Sequence, residues 1–279
     1  MQIVWFRRDL RLEDNEIVSR ASKDKQEVLP CFVVDPWFYQ QPEISAARVR
    51  FLFESLKNLD ANLRKCGSKL YLFEGESVEV LKQLTRSLLE LGKQPTLLFN
   101  RDIQVEYGIN RDRQILDFYQ QHNLKTHIGL NHFLQEKECY ETLWHDYHSY
   151  HKKPIYPTPE QINTPEYSLD LAQLTIDGLI QKYSLSAQAK SKYFIGGEDN
   201  ALKILKSFLG GRYQGYHWKM SRPWLAQQGA TSHLSPHLDF GTISSRTVYQ
   251  QTKDLEQKLS YSKYKFSLKT FLDRLRWHD

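Results

Sequence analysis

Five short apolar runs, each too brief and too unbroken for a surface helix, constrain this chain most strongly. They are Gln2 to Phe6 (Q-I-V-W-F), Val28 to Val34 (V-L-P-C-F-V-V), Lys69 to Phe73, Thr96 to Asn100 and Leu124 to Ile128. Runs of this length without polar alternation suit strands buried on both faces. Helical patterns lie between them. Val49, Leu52, Phe53, Leu56, Leu59 and Leu63 recur at helix spacing behind Ser45, with Gly67 where a C-cap would stand. Leu81, Leu84, Leu88 and Leu91 form a second stripe closed by Gly92. The alternation predicts an α/β N-terminal domain, a doubly wound parallel sheet with helices on both faces. Such sheets take ligands beyond the carboxyl ends of their strands. No G-x-G-x-x-G and no P-loop follows any run, so neither a dinucleotide nor a nucleoside triphosphate site is indicated.

Two segments stand at those carboxyl ends. Trp5 to Asn15 (W-F-R-R-D-L-R-L-E-D-N) leaves the first strand with dense alternating charge, and Asn100-Arg101-Asp102 follows the fourth. Three arginines beside two aspartates predict a fixed network of paired charges; a ligand crevice above them is the functional alternative. Cys31, Cys66 and Cys139 are odd in number, widely spaced and without a C-x-x-C pair. This argues against a disulfide framework or a zinc site and for a reducing compartment. With no apolar leader and no run long enough to span a membrane, the expectation is a soluble, cytoplasmic protein. His145, His148 and His151 share helical spacing but lack a carboxylate cage, so they read as surface histidines and no metal is expected.

Composition changes near Lys152, where K-K-P-I-Y-P-T-P-E-Q-I-N-T-P reads as an extended connector. From Gly196 the pattern is helical: Ala201, Leu202, Leu205 and Leu209, then a helix capped by Ser244/Ser245, then Lys263 onward. Gly196 to Asp279 holds 13 Lys or Arg against 7 Asp or Glu, so this region carries the chain's excess positive charge. Interleaved Trp and Tyr make such a surface suited to a phosphate backbone. Thr231-Ser232-His233-Leu234-Ser235 sets three hydroxyls just ahead of Pro236, a residue suited to a first helical turn. Such a cluster either caps the helix or, with its amides, holds a phosphate. Phe266, Leu268, Phe271, Leu272 and Leu275 keep helix spacing to the last residues, and the Phe271/Leu272/Leu275 face is expected to stand uncovered.

W-F-R-R-D-L-R-L-E-D-N near the start, T-S-H-L-S-P-H-L-D-F-G-T-I-S-S-R later and R-L-R-W-H-D at the end occur in one order and at set distances. Together they resemble the DNA photolyase/cryptochrome family along the whole chain. The resemblance implies an α/β antenna domain over 1–132, a connector over 133–195 and, over 196–279, the first part of an all-helical FAD-binding domain. In the family, reduced FAD absorbs light and passes an electron to a pyrimidine dimer in DNA. Carried over by motif, Tyr216, Thr231, Ser232, Leu234 and Ser235 would contact the FAD phosphates, with His233 in the same loop where many relatives have Arg. Phe271 would sit beside the flavin, and Trp277 would pack against a flipped-out dimer. Arg222 and Arg246 are candidates for either structure or DNA phosphate contact. The first domain could carry a folate, deazaflavin or flavin antenna chromophore, or none.

The departures bear on activity. Arg274 stands where DNA-repairing relatives often have a Glu that accepts hydrogen bonds from the dimer, and a guanidinium accepts none. His278 follows Trp277 where Arg is usual. The family's helical domain continues beyond the equivalent of Asp279, so the chain reads as C-terminally shortened and is expected to hold FAD weakly or not at all. No catalytic residue is assigned. The readings are a light-dependent photolyase acting on dimer-containing DNA, a cryptochrome-like photoreceptor, or a remnant without enzymatic activity.

Overall fold

A computed structural model describes residues 1–24, 26–39, 41, 44–101, 106–130, 140–183 and 194–276. Five parallel strands form one sheet in the order β3-β2-β1-β4-β5, with β1 at Gln2–Phe6, β2 at Val28–Val34, β3 at Tyr71–Glu74, β4 at Thr96–Asn100 and β5 at Thr126–Gly129. Alternate side chains enter opposite faces, as the pleat requires. Val4 and Phe6 join Phe32 and Val34 under α1 (Glu16–Lys23) and α3 (Ala46–Lys65), the short α2 (Pro36–Tyr39) lying between β2 and α3 in the chain. Ile3 and Trp5 join Leu29, Cys31 and Val33 under α4 (Ser77–Glu90) and α5 (Glu106–Gln121). The unbroken apolar runs are therefore strands covered on both faces, and the doubly wound sheet is present. Ser45 caps α3 by accepting from the Arg48 amide at 3.3 Å, while Gly67 and Gly92 take the left-handed conformation beyond α3 and α4.

The sheet order reverses direction between β1 and β4. The loop leaving β1 fills that position with a buried network rather than an open crevice. Asp9 accepts from the Arg7 amide at 2.8 Å and from Asn100 Nδ2 at 2.7 Å. Arg7 itself pairs with Asp112 of α5. The expected network exists, but most of its charges pair with distant elements rather than with each other.

After β5 come α6 (Tyr140–His151) and α7 (Ile176–Lys182), then α8 (Glu198–Ser207), a π-helical turn at Phe208–Arg212, α9 (Tyr216–Lys219), a 3₁₀ turn at Pro223–Gln228, α10 (Ser235–Asp239), α11 (Ser245–Lys258) and α12 (Ser262–Leu275). The proline-rich connector is extended and bonded to the sheet domain: the Ile162 amide donates to Cys66 O at 2.8 Å and the Val28 amide to Asn163 O at 2.8 Å. Two expectations require correction. The Phe271/Leu272/Leu275 face is covered, each residue being buried in a core with Ala201, Leu205, Phe208 and Tyr216, because α9 and α11 pack against α12 and Phe208 of the π turn meets the Phe271 ring at 4.6 Å. And His151 is not a surface histidine. It is fully buried, with Nδ1 at 2.8 Å from Tyr147 O and Nε2 at 3.0 Å from Ser245 Oγ; His148 is half-buried against Tyr249, and only His145 is exposed.

The two parts meet through two of the motifs quoted above. The Leu10 amide donates to Phe240 O at 3.3 Å, Arg8 pairs with Asp239, and Arg11 Nη1 donates to Gly241 O at 2.9 Å. Arg246 Nε donates to Asp14 at 3.0 Å, both buried, which assigns Arg246 to structure. Glu198 accepts the amides of Leu12 and Glu13 at 3.1 and 2.9 Å. Gly241, at φ 63°, comes so close that a Cβ would lie 1.9 Å from Arg8 O; no other residue fits there.

Candidate functional site

The loop before α10 is built from the inside outward. Arg212, at the end of the π turn, sends Nη1 to Thr231 O at 2.6 Å and to Gly229 O at 3.2 Å, and Nη2 to Ser232 O at 3.4 Å and Ile204 O at 3.2 Å. Three carbonyls of the loop, those of Gly229, Thr231 and Ser232, are thereby tied to that guanidinium. His233 at φ 63° followed by right-handed Leu234 is the backbone alternation that makes successive amides converge on one point. Among the described residues, nothing accepts from the Thr231 and Ser232 amides, and the Thr231 and Ser235 hydroxyls have no partner. Burial depresses the Arg212 guanidinium below its ordinary value.

Opposite this loop stands Tyr216. Gly215 enters α9 at φ 77°, where a Cβ would strike Trp218 Nε1 at 2.6 Å, and sets Tyr216 facing inward. Its phenol is pushed up by burial, with the Arg274 charge opposing. Between the two walls lies a cavity of ~580 Å³ lined by Tyr216, Met220, Thr231, Ser232, His233, Ser235 and Arg274, with Phe194 at its edge 5.6 Å from the His233 ring. The space is of the size that holds a small ligand. Six of the expected residues therefore gather here. Leu234 and Phe271 lie behind the wall in the core, Phe271 with its ring 5.5 Å from Tyr216 and 4.6 Å from Phe208. Trp277 lies outside the described residues. Arg212 was missed by sequence reading; its one signal is its place in a segment, Asn200 to Leu238, that contains no acid to pair with it.

A second cavity, of ~400 Å³, opens at the carboxyl end of the sheet and is lined by Trp5, Arg8, Phe32, Trp37, Arg48 and Phe240 among others. Asp35 organises its rim. One oxygen accepts from the Trp37 amide at 3.0 Å; the other accepts from the Ser77 amide at 3.1 Å, the Ser77 hydroxyl at 2.7 Å and the Tyr107 hydroxyl at 2.6 Å. Tyr107 is thereby stacked on Trp37 with centroids 4.1 Å apart and planes 4° from parallel. The result is a mostly aromatic and aliphatic pocket with arginines at its wall, suited to a planar ligand bearing negative charge. The crevice alternative raised by the β1 loop is thus present beside the network, toward β2 rather than at the β1/β4 reversal.

Comparison with known proteins gives the following. The DNA photolyase family model matches residues 2–145. Cryptochrome DASH of Danio rerio is 28% identical over 279 residues, covering 91% of this chain and 52% of the relative. The (6-4)DNA photolyase of Arabidopsis thaliana is 28% identical over 305 residues, covering 99% and 53%. Among solved structures, an archaeal photolyase from Sulfolobus tokodaii, described as holding two FAD molecules and implying a novel light-harvesting cofactor, superposes with a TM-score of 0.73 at 24% identity over 100% of this chain and 58% of that one. The chain spans about half the length of the curated relatives it matches.

Proposed function

The chain belongs to the DNA photolyase family, and from that premise we propose that the Thr231–Ser235 loop grips the diphosphate of FAD in a light-dependent flavoprotein whose relatives are photolyases and cryptochromes. The carrying observation is that the Thr231 and Ser232 amides and the Thr231 and Ser235 hydroxyls have no partner among the described residues, in a loop that lines one cavity and is held by the Arg212 guanidinium. These groups fit a dianion: donors without partners, and a positive charge that cannot reach the ligand but lowers the cost of its burial. Tyr216 offers a further hydroxyl from the facing wall. When bound and reduced, FAD supplies the light-driven electron. The residues named here bind and orient its phosphates and exclude water from one side of them. The cavity at the carboxyl end of the sheet, with its aromatic walls and arginines, is the place for an antenna chromophore.

A second reading, photoreception without repair, is favoured by Arg274. Its exposed guanidinium at the cavity edge offers donors and no acceptor. The two readings separate in one experiment. Chain reconstituted with FAD is illuminated with blue light and a reductant in the presence of dimer-containing oligonucleotide. Loss of dimers supports repair; flavin photoreduction with the dimers intact supports the photoreceptor reading; no flavin binding at all removes both.

A further inference from the structure

The histidines of α6 meet α11 in two different ways. His151 is fully buried, and its Nε2 contact with Ser245 fastens one helix to the other. His148, three residues earlier, is half-buried, with Nδ1 2.9 Å from the Tyr249 hydroxyl. It also lines a third cavity, of ~490 Å³, between α6 and α11. Lys152 lies on the same side as His148, four residues on; Tyr249, Gln250, Lys253, Asp254 and Gln257 recur at helical spacing along α11. None of these residues lines the cavity beside the Thr231–Ser235 loop.

Basic groups surround the His148 ring. Burial first, and then Lys253, Arg276, Lys152 and His151, hold its imidazole below the ordinary value. Arg276 pairs with Asp273 at 2.9 Å and Lys253 with the buried Glu256 at 2.8 Å, and Asp254 is the one acid in the lining. Lys152 is exposed and makes no ion pair among the described residues. Burial raises the Tyr249 phenol, so it keeps its proton and can donate to His148 Nδ1. The neutral ring then carries its own proton on Nε2, and so does the protonated ring, which makes Nε2 a donor in either state.

We infer that the groove between α6 and α11 binds one small tetrahedral oxyanion, of the sulfate or phosphate kind, held by Lys152, Lys253 and the His148 ring. The site stands independently of the flavin reading. Its lining selects the ligand: two ammoniums, two amides, an imidazole, a phenol and one carboxylate leave an apolar ligand little to gain. No group of three metal-ligating side chains occurs among the described residues. The lining carries one positive charge in excess, and two once His148 is protonated. That suits a single anion and not a polymer that needs a cation for each phosphate. Anion binding and protonation of His148 reinforce each other, because the anion offsets the neighbouring cations that oppose a charge on the ring. Affinity therefore rises as pH falls through the titration of His148.

The test is proton NMR of the full chain, following the His148 Cε1 proton, assigned by its loss in His148→Gln. Titrations from about pH 8 to 5 are run in sodium sulfate and in sodium chloride of equal ionic strength. Sulfate remains a dianion over this range, so the protein alone titrates. His148 should hold its proton about tenfold more tightly in sulfate, and by reciprocity sulfate should bind the protonated site about tenfold more tightly than the neutral one. The effect should saturate with sulfate concentration. Lys152→Gln, a change at an exposed position that keeps the fold, should abolish it. Equal titration in the two salts would overturn the inference, as would a sulfate effect that survives Lys152→Gln or grows without saturating. Oligothymidylate moving the resonance at phosphate concentrations where sulfate does not would overturn it too, and would assign the groove to a nucleic-acid backbone.

Discussion

Arg212 is the residue on which the candidate site most depends, although it need not touch the ligand. It satisfies carbonyls of Ile204, Gly229, Thr231 and Ser232 at once. Removing it strands buried acceptors, at about 1–3 kcal/mol each where water cannot replace it, and frees the loop to turn. Arg212→Ala should weaken FAD binding at least tenfold and lower the urea midpoint; Arg212→Lys should keep some of the attraction but not the fork, giving an intermediate affinity. His237 supplies a second test at this scale. It is fully buried, with Nδ1 2.8 Å from Thr242 Oγ1 and no partner at Nε2 among the described residues, and burial lowers its imidazole to about 4. In the unfolded chain it titrates near 6.5, so between those values the unfolded state binds more protons and stability falls as pH drops from about 6.5 toward 4. The full effect is about 3 kcal/mol. Glu198, raised by burial, pulls the other way over part of that range, so the informative quantity is the difference between wild type and His237→Gln. Urea melts from pH 7 to 4.5 should show a shallower acid loss in the variant.

Among elements, the packing of the β1 loop against α10 and the start of α11 explains why two distant motifs come as a pair. Arg8 with Asp239, Arg11 with Gly241 O and Asp14 with Arg246 join them. Gly241→Ala should cost about 2–4 kcal/mol from overpacking and strain, and Arg246→Met about 3–5 kcal/mol because Asp14 would remain buried and charged; denaturant midpoints check both. The strands were legible because burial on both faces erases polar alternation, and α3 and α4 because Ser45, Gly67 and Gly92 mark their ends. The cover over Phe271, Leu272 and Leu275 was not legible. It comes from α9, α11 and Phe208 of the π turn, and spacing along one helix cannot show what packs across it. His151 was misread for the same reason: its partner Ser245 is supplied by α11. In the site, the hydroxyl run was visible as residue types. The hold on its carbonyls was not, because that depends on a guanidinium nineteen residues away from Thr231.

At the scale of the whole molecule, a sheet domain with an arginine-walled aromatic cavity is fastened to a basic helical part whose Thr231–Ser235 loop lines a second cavity. Among the described residues no helix is long and apolar enough to cross a membrane. On the proposed function, the described cavity recognises the diphosphate of FAD, not the flavin ring. The most direct measurement is therefore equilibrium binding of FAD and riboflavin to the chain and to Thr231→Ala/Ser235→Ala, read by flavin fluorescence. FAD should bind at least tenfold more tightly than riboflavin, and the double substitution should abolish that preference while leaving riboflavin unchanged. Equal affinity for the two flavins in the unaltered chain, or a preference for FAD that survives the double substitution, would contradict the account.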